Sequence, residues 1–167
     1  DAVDAIVAAH PRAFCFGTLA QRSAASAQTL NEILERLTKS LVFFDVNLRQ
    51  NFWNLQVITE SLAKSDWLKV NDEEAMLLNQ KLFGGKPDTE RFAASVLADF
   101  KGVKGIVVTC GAEGCIVFER GVSPLRADGI EVAAVDTIGA GDAFSAAFLA
   151  ALLQGRSAAQ AAEIGNH

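Results

Sequence analysis

Short apolar blocks alternate along this chain with polar stretches of helical spacing. Leu41-Val42-Phe43-Phe44-Asp45-Val46 is a continuous apolar run, the pattern of a strand covered on both faces. Ala13-Phe14-Cys15-Phe16-Gly17, Trp67-Leu68-Lys69-Val70 and Gly105-Ile106-Val107-Val108-Thr109 read the same way. Cys115-Ile116-Val117-Phe118 pairs back on the last of these as a hairpin through Gly111-Ala112-Glu113-Gly114. Ile130 to Val135 is the final strand. Between them, Leu30, Ile33, Leu34 and Leu37 follow the i, i+3, i+4, i+7 spacing of an amphipathic helix. Further helices are expected at Ala2 to Ala9 (the end of one), about Asn54 to Lys64, Asp72 to Leu82, Thr89 to Phe100 and about Ala140 to Leu153. A last helix opens on the Ser157 and Gln160 capping box. Gly84-Gly85-Lys86-Pro87 is a loop.

Strands alternating with helices predict βαβ units and an α/β fold built on a mostly parallel sheet, with right-handed crossovers. Ligands of such sheets bind at the carboxyl ends of the strands. Four strand ends carry polar motifs: Asp45 to Arg49, Asn71 to Glu74, Thr109 to Gly114, and Asp136 to Asp142.

The chain has 167 residues, one domain's worth, able to bury roughly 70% of its unfolded surface. Half the residues are hydrophobic, yet no apolar run reaches the ~18 residues of a membrane span. The acidic start, Asp1-Ala2-Val3-Asp4, is no signal peptide, and without a leading Met the chain reads as processed or cut. A net charge of −5 argues against nucleic-acid binding. A polyphosphate would need backbone donors and a divalent metal instead. Cys15, Cys110 and Cys115 are an odd number and fit a reducing compartment, the cytoplasm; they read as small apolar strand residues. His10 and His167 join them in no familiar metal spacing.

Asp136-Thr137-Ile138-Gly139-Ala140-Gly141-Asp142-Ala143-Phe144 is the most informative segment. Glycines opening a helix let backbone approach a ligand, and the free N–H groups with the helix dipole favour an anion. A carboxylate, Asp142, sits in that cradle. There it is repulsive to phosphate unless it takes a proton from an attacking hydroxyl. Both the dinucleotide fingerprint and the P-loop are missing.

This segment resembles the C-terminal signature of the ribokinase, or PfkB, family of carbohydrate kinases. The resemblance implies a ribokinase-like three-layer α/β/α fold, truncated here at both ends. It implies Asp142 as the base that deprotonates a sugar hydroxyl. The amides of Gly139, Ala140, Gly141 and Asp142 become the anion hole. Thr109-Cys110-Gly111-Ala112-Glu113-Gly114 is similar to the family's nucleotide loop, with Thr109, Gly111 and Gly114 against ATP; on its own it is a plain hairpin turn. Asn71-Asp72-Glu73-Glu74 looks like the Asn-x-x-Glu motif that organises Mg²⁺ and phosphate, with Asn71 toward the nucleotide and Glu74 toward the metal. The same four residues also spell a capping box. Asp45-Val46-Asn47-Leu48-Arg49 resembles a segment of the fructokinase and ketodeoxygluconate kinase branches. Its Arg49 either touches substrate or braces Asp45. Asp136 with the Ile138 carbonyl matches a monovalent-cation position, or Asp136 simply caps the following turn. Asn166 falls near the adenine pocket.

Phe16-Gly17-Thr18-Leu19-Ala20-Gln21-Arg22-Ser23 is similar to bacterial fructokinases. The expectation is therefore the nucleotide-binding and catalytic portion, residues 1–167, of an ATP- and Mg²⁺-dependent fructokinase-like enzyme. The family's N-terminal sugar-binding part and lid are missing, so the fragment alone is expected to be inactive. The alternatives are a 2-keto-3-deoxygluconate-type sugar-acid kinase and a non-catalytic nucleotide-binding module. Expected partners are the sugar and ATP, with no nucleic acid or membrane, and a homodimer as one option for a full-length protein.

Overall fold

The structure is a computed structural model that describes residues 1–130 and 139–167. Six strands form one sheet in chain order: β1 (Ala13–Phe16), β2 (Leu41–Asp45), β3 (Trp67–Asn71), β4 (Gly105–Thr109), β5 (Gly114–Glu119) and β6 (Leu125–Asp128). The first four are parallel, and β5 and β6 fold back antiparallel. The helices are α1 (Ala2–Ala8), α2 (Ala24–Arg36), α3 (Leu55–Ala63), α4 (Asp72–Phe83), α5 (Thr89–Asp99), α6 (Ala140–Leu153) and α7 (Ala158–Asn166). No helix among the described residues is long and apolar enough to cross a membrane.

Side-chain alternation sorts the apolar strand residues into two cores. Val42 and Phe44 of β2, Leu68 and Val70 of β3, and Ile106 and Val108 of β4 pack on one face. There they meet Leu30 of α2, Ile58 and Leu62 of α3, Leu78 of α4, and Phe92 and Val96 of α5. Phe43, Trp67, Val107, Cys115 and Val117 point to the other face, under Phe144, Phe148 and Ala151 of α6 and Ala158, Ala161 and Ala162 of α7. The expected three layers and mostly parallel sheet are present. The strands read as unbroken apolar runs because both of their faces are covered.

Boundaries shift where caps decide them. Helix α2 starts well before Leu30, because the Ser23 hydroxyl accepts from the Ser26 N–H. The expected last strand, Ile130 to Val135, falls mostly on residues 131–138, outside the described residues, and Ile130 itself is in no strand. Strand β6 was not anticipated. Only Ala127 of its four residues is buried, so no apolar pattern marks it.

The α6 layer is held chiefly by Phe148, which has no exposed surface. Its ring lies 5.3 Å from Trp67, edge-on, 6.1 Å from Phe43 and 5.8 Å from Phe144. Phe148→Ala should lower the unfolding free energy by about 3–5 kcal/mol, seen in urea as a lower midpoint with unchanged m. A loss under about 1 kcal/mol would mean that α6 does not dock on the sheet in this way.

Candidate functional site

Parallel β3 and β4 end level, with Asn71 directly opposite Thr109, and β2 ends at Asp45, opposite Lys69. The amino end of α6 reaches over these ends from the second face. Between them lies a cleft of about 340 Å³. Arg49, Asn71, Glu74, Thr109, Gly139 and Asp142 line it, with Asn47, Gly141 and the buried Asp45 and Lys69. Seven residues named from sequence therefore meet: Arg49, Asn71, Glu74, Thr109, Gly139, Gly141 and Asp142. Ala140 stands between the two glycines. Asp136 and Ile138 lie outside the described residues.

Gly139 is the N-cap of α6 with φ 83° and ψ −5°, a left-handed conformation that glycine adopts without steric cost. Among the described residues, no side chain caps this helix. The first intrahelical bond shown runs from the Ala143 N–H to the Gly139 carbonyl, 2.9 Å. The N–H groups of Ala140, Gly141 and Asp142 precede it and have no acceptor in their own helix. Asp142 occupies this exposed first turn, where a carboxylate also complements the helix dipole.

The capping box at the head of α4 is formed. Asn71 Oδ1 accepts from the Glu74 N–H at 2.7 Å, and Glu74 Oε2 accepts from the Asn71 N–H at 3.0 Å. The other oxygen, Oε1, accepts from the Leu48 N–H at 2.7 Å. Glu74 thus fixes the loop after β2 as well as its own helix. Thr18 holds the same loop from beyond β1, its hydroxyl donating to the Asn47 carbonyl at 2.9 Å. Asn47 sits there at φ 45°, a conformation that asparagine tolerates better than most residues.

Asp45 is braced, but not by Arg49. Lys69 Nζ stands 3.1 and 3.0 Å from the two Asp45 oxygens, and the Ser145 hydroxyl donates to Asp45 Oδ2 at 2.7 Å. Lys69 projects inward from β3, while Arg49 lies beyond the strand end, exposed and in no ion pair among the described residues. Sequence reasoning missed Lys69 and Ser145. The available signal was an ionisable residue in the middle of a buried strand.

The turn after β4 is held by backbone crowding. A Cβ on Gly114 would come 2.1 Å from the Ala127 carbonyl, and one on Gly129 would come 2.1 Å from that of Ala112. Both glycines are required by this crossing, and Gly129 was not singled out from sequence. Gly111 and Gly114 shape the turn, at φ 56° and 92°, but do not line the cleft. Asn166 donates to the Ala127 and Asp128 carbonyls at 3.0 and 3.1 Å, pinning the end of α7 to β6.

Among the described residues, the charged side chains lining the cleft are Arg49 and Lys69 against Asp45, Glu74 and Asp142, two cations to three carboxylates. An anion there depends on backbone N–H groups and an added cation. Among the described residues, no three His, Cys, Asp or Glu side chains gather as a metal site. All three cysteines are free. Burial pushes the Cys115 thiol up to about 11, so it is no thiolate nucleophile near neutral pH.

Comparison with known proteins extends this picture. The pattern of the pfkB family carbohydrate kinases matches residues 9–167. A 2-dehydro-3-deoxygluconokinase of Escherichia coli is 33% identical over 161 residues, covering 89% of this chain and 49% of the relative. A ribokinase structure from Thermotoga maritima superposes with a TM-score of 0.70 at 29% identity, over 83% of this chain and 44% of that one. A Vibrio cholerae fructokinase, solved in a fructose, ADP and calcium ion bound form, gives a TM-score of 0.76 at 26% identity. It covers 91% of this chain and 51% of its own. The chain spans about half the length of the curated relatives it matches. The expected ribokinase-like fold is therefore present. Since the family pattern runs from residue 9 to the last residue, far beyond the nine-residue signature, the chain belongs to the pfkB family of carbohydrate kinases.

Proposed function

We propose that this chain provides the nucleotide-binding and phosphoryl-transfer part of an ATP-dependent sugar kinase. One observation carries the reading: the amino terminus of α6, opened by Gly139, faces a polar cleft at the strand ends and bears a carboxylate, Asp142, in its first turn. Asp142 takes the proton from the sugar hydroxyl as that oxygen attacks the γ-phosphorus. The free N–H groups of Ala140 and Gly141 stabilise charge on the transferring phosphoryl oxygens, with Gly139 opening the turn for close approach. Thr109, with the turn through Gly111 and Gly114, lies against the nucleotide, and Asn71 borders its phosphates. Asn166 supports the adenine side by holding β6. The free thiols accord with the reducing cytoplasm.

Magnesium fits the donor set. Both Glu74 oxygens are engaged by backbone N–H groups, yet each keeps a lone pair, and a sparse protein shell suits an ion that retains waters. Glu74 would hold it, through water, with Asp136 proposed for a monovalent cation. When bound, Mg²⁺ neutralises phosphate charge that the acidic cleft cannot.

Two sugar classes remain distinct readings. Fructose is supported by the Phe16 to Ser23 segment and by the fructokinase relatives. A sugar acid is supported by Arg49, whose guanidinium stands in the cleft outside any ion pair among the described residues and matches a carboxylate.

In the native polypeptide that carries these residues, Asp142→Asn should lower kcat by about 10²- to 10⁴-fold while leaving nucleotide affinity within about threefold. Coupled ADP release and calorimetric titration measure the two quantities; wild-type turnover would remove the base assignment. Arg49→Ala should raise KM for 2-keto-3-deoxygluconate by about 10- to 100-fold and leave KM for fructose unchanged. An equal effect on both sugars would remove Arg49 as an acid-group reader. The 167 residues alone should bind ATP and phosphorylate neither sugar, and normal ADP release from them with fructose would contradict the half-site reading.

A further inference from the structure

Three polar side chains lie buried beneath the first turn of α6, and the roles given above use none of them. Asp45 and Lys69 are each 8% exposed and Ser145 is 5% exposed. The Lys69 ammonium meets both Asp45 oxygens. The Ser145 hydroxyl has one proton and two acceptors in reach, Asp45 Oδ2 at 2.7 Å and the Gly141 carbonyl at 2.9 Å. A Cβ on Gly141 would approach Lys69 Nζ to 3.0 Å, which puts the ammonium directly under the helix's opening turn.

Helix stability does not account for this arrangement. A cation beside a helix amino terminus opposes the helix dipole. A buried ion pair also gives less stability than well-packed apolar residues of the same size. What the pair adds is direction. Two oxygens, one ammonium and one hydroxyl have a narrow set of distances, whereas the Phe148 contacts below them tolerate sliding. Ser145 is one helical turn beyond Gly141 and Asp142, so its bond to β2 fixes the rotation of α6 about its own axis.

We propose that Asp45, Lys69 and Ser145 form a positioning unit that sets the height and rotation of the α6 amino terminus over the strand ends. The unit thereby aims Asp142 and the free N–H groups at the cleft. This rests on the kinase reading for its catalytic consequence, though not for its structural one. Misplacement by a fraction of an ångström costs rate while leaving ground-state binding largely intact.

Ser145→Ala is the mildest test, because it leaves the ion pair paired and alanine is the better helix former. In the native polypeptide, kcat should fall about 10-fold or more with KM for ATP changed less than about twofold. Ser145→Thr, which keeps the hydroxyl, should restore most of kcat. Hydrogen exchange at the Ala143 to Ala146 amides should quicken in Ser145→Ala, while the Ala150 to Leu153 amides stay as in wild type. The double variant Asp45→Asn/Lys69→Met, which leaves no lone buried charge, should reproduce the loss in kcat. An unchanged kcat in Ser145→Ala, or a loss that Ser145→Thr does not relieve, overturns the proposal. If the wild type phosphorylates no sugar, the kinase reading fails by itself. Exchange at Ala143 to Ala146 then decides the positioning claim: quickened amides support it and unchanged amides overturn it.

Discussion

Handedness constrains everything else in this molecule. Four parallel strands laid down in chain order, each joined to the next by a right-handed crossover, send every connecting helix to the same face. The opposite face stays bare until the chain has doubled back through β5 and β6. Only α6 and α7 are left to cover it, and they do so with Phe144, Phe148 and a run of alanines. Helix α6 begins on the carboxyl-end side of the sheet, where Gly139, Gly141 and Asp142 line the cleft. Its amino terminus must therefore stand over the ends of β2, β3 and β4. The anion cradle is placed by topology before any side chain in it is chosen.

Charge then limits what the cradle can hold. The cleft carries more carboxylates than cations, and one of its cations is spent on Asp45. Attraction for phosphate must come from N–H groups at short range and from a metal brought with the ligand. Such a site discriminates: a phosphate presented without its cation meets Asp142 and Glu74 unshielded. A strongly basic cleft would bind phosphates of every kind and hold products as tightly as substrates. The acidic bias and the proposed base, Asp142, are thus two sides of one electrostatic arrangement.

What could be read from sequence was local, and what could not was long-range. Strands β2, β3 and β4 were legible as apolar runs ending in polar residues, and the cap at Asn71 was legible from four consecutive residues. Strand β6 was invisible because its order comes from pairing with β5 and from the Gly114–Gly129 crossing, with Ala127 as its single buried side chain. The sequence offered Arg49, a near neighbour, as one candidate partner for Asp45. Its real partners are Lys69 on the next strand and Ser145, 100 residues away. Periodicity reports which face a residue takes; it carries no information about which distant group that face will meet.

The same distinction bears on how function is divided within the family. On the proposed reading, the residues gathered at the α6 end of the cleft serve the phosphoryl group: N–H donors, a carboxylate and the groups that orient them. Those that distinguish one sugar from another must read hydroxyl or acid positions farther from phosphorus. Arg49 and Asn47, on the loop after β2, line the cleft apart from the α6 amino terminus. That loop is held from two sides, by Glu74 at Leu48 and by Thr18 at Asn47. Side chains on a clamped loop can be exchanged without disturbing the cradle beside it. If the proposed roles hold, a kinase can keep one phosphoryl-transfer half and vary the sugar, with a difference as small as one guanidinium separating a neutral sugar from an acid.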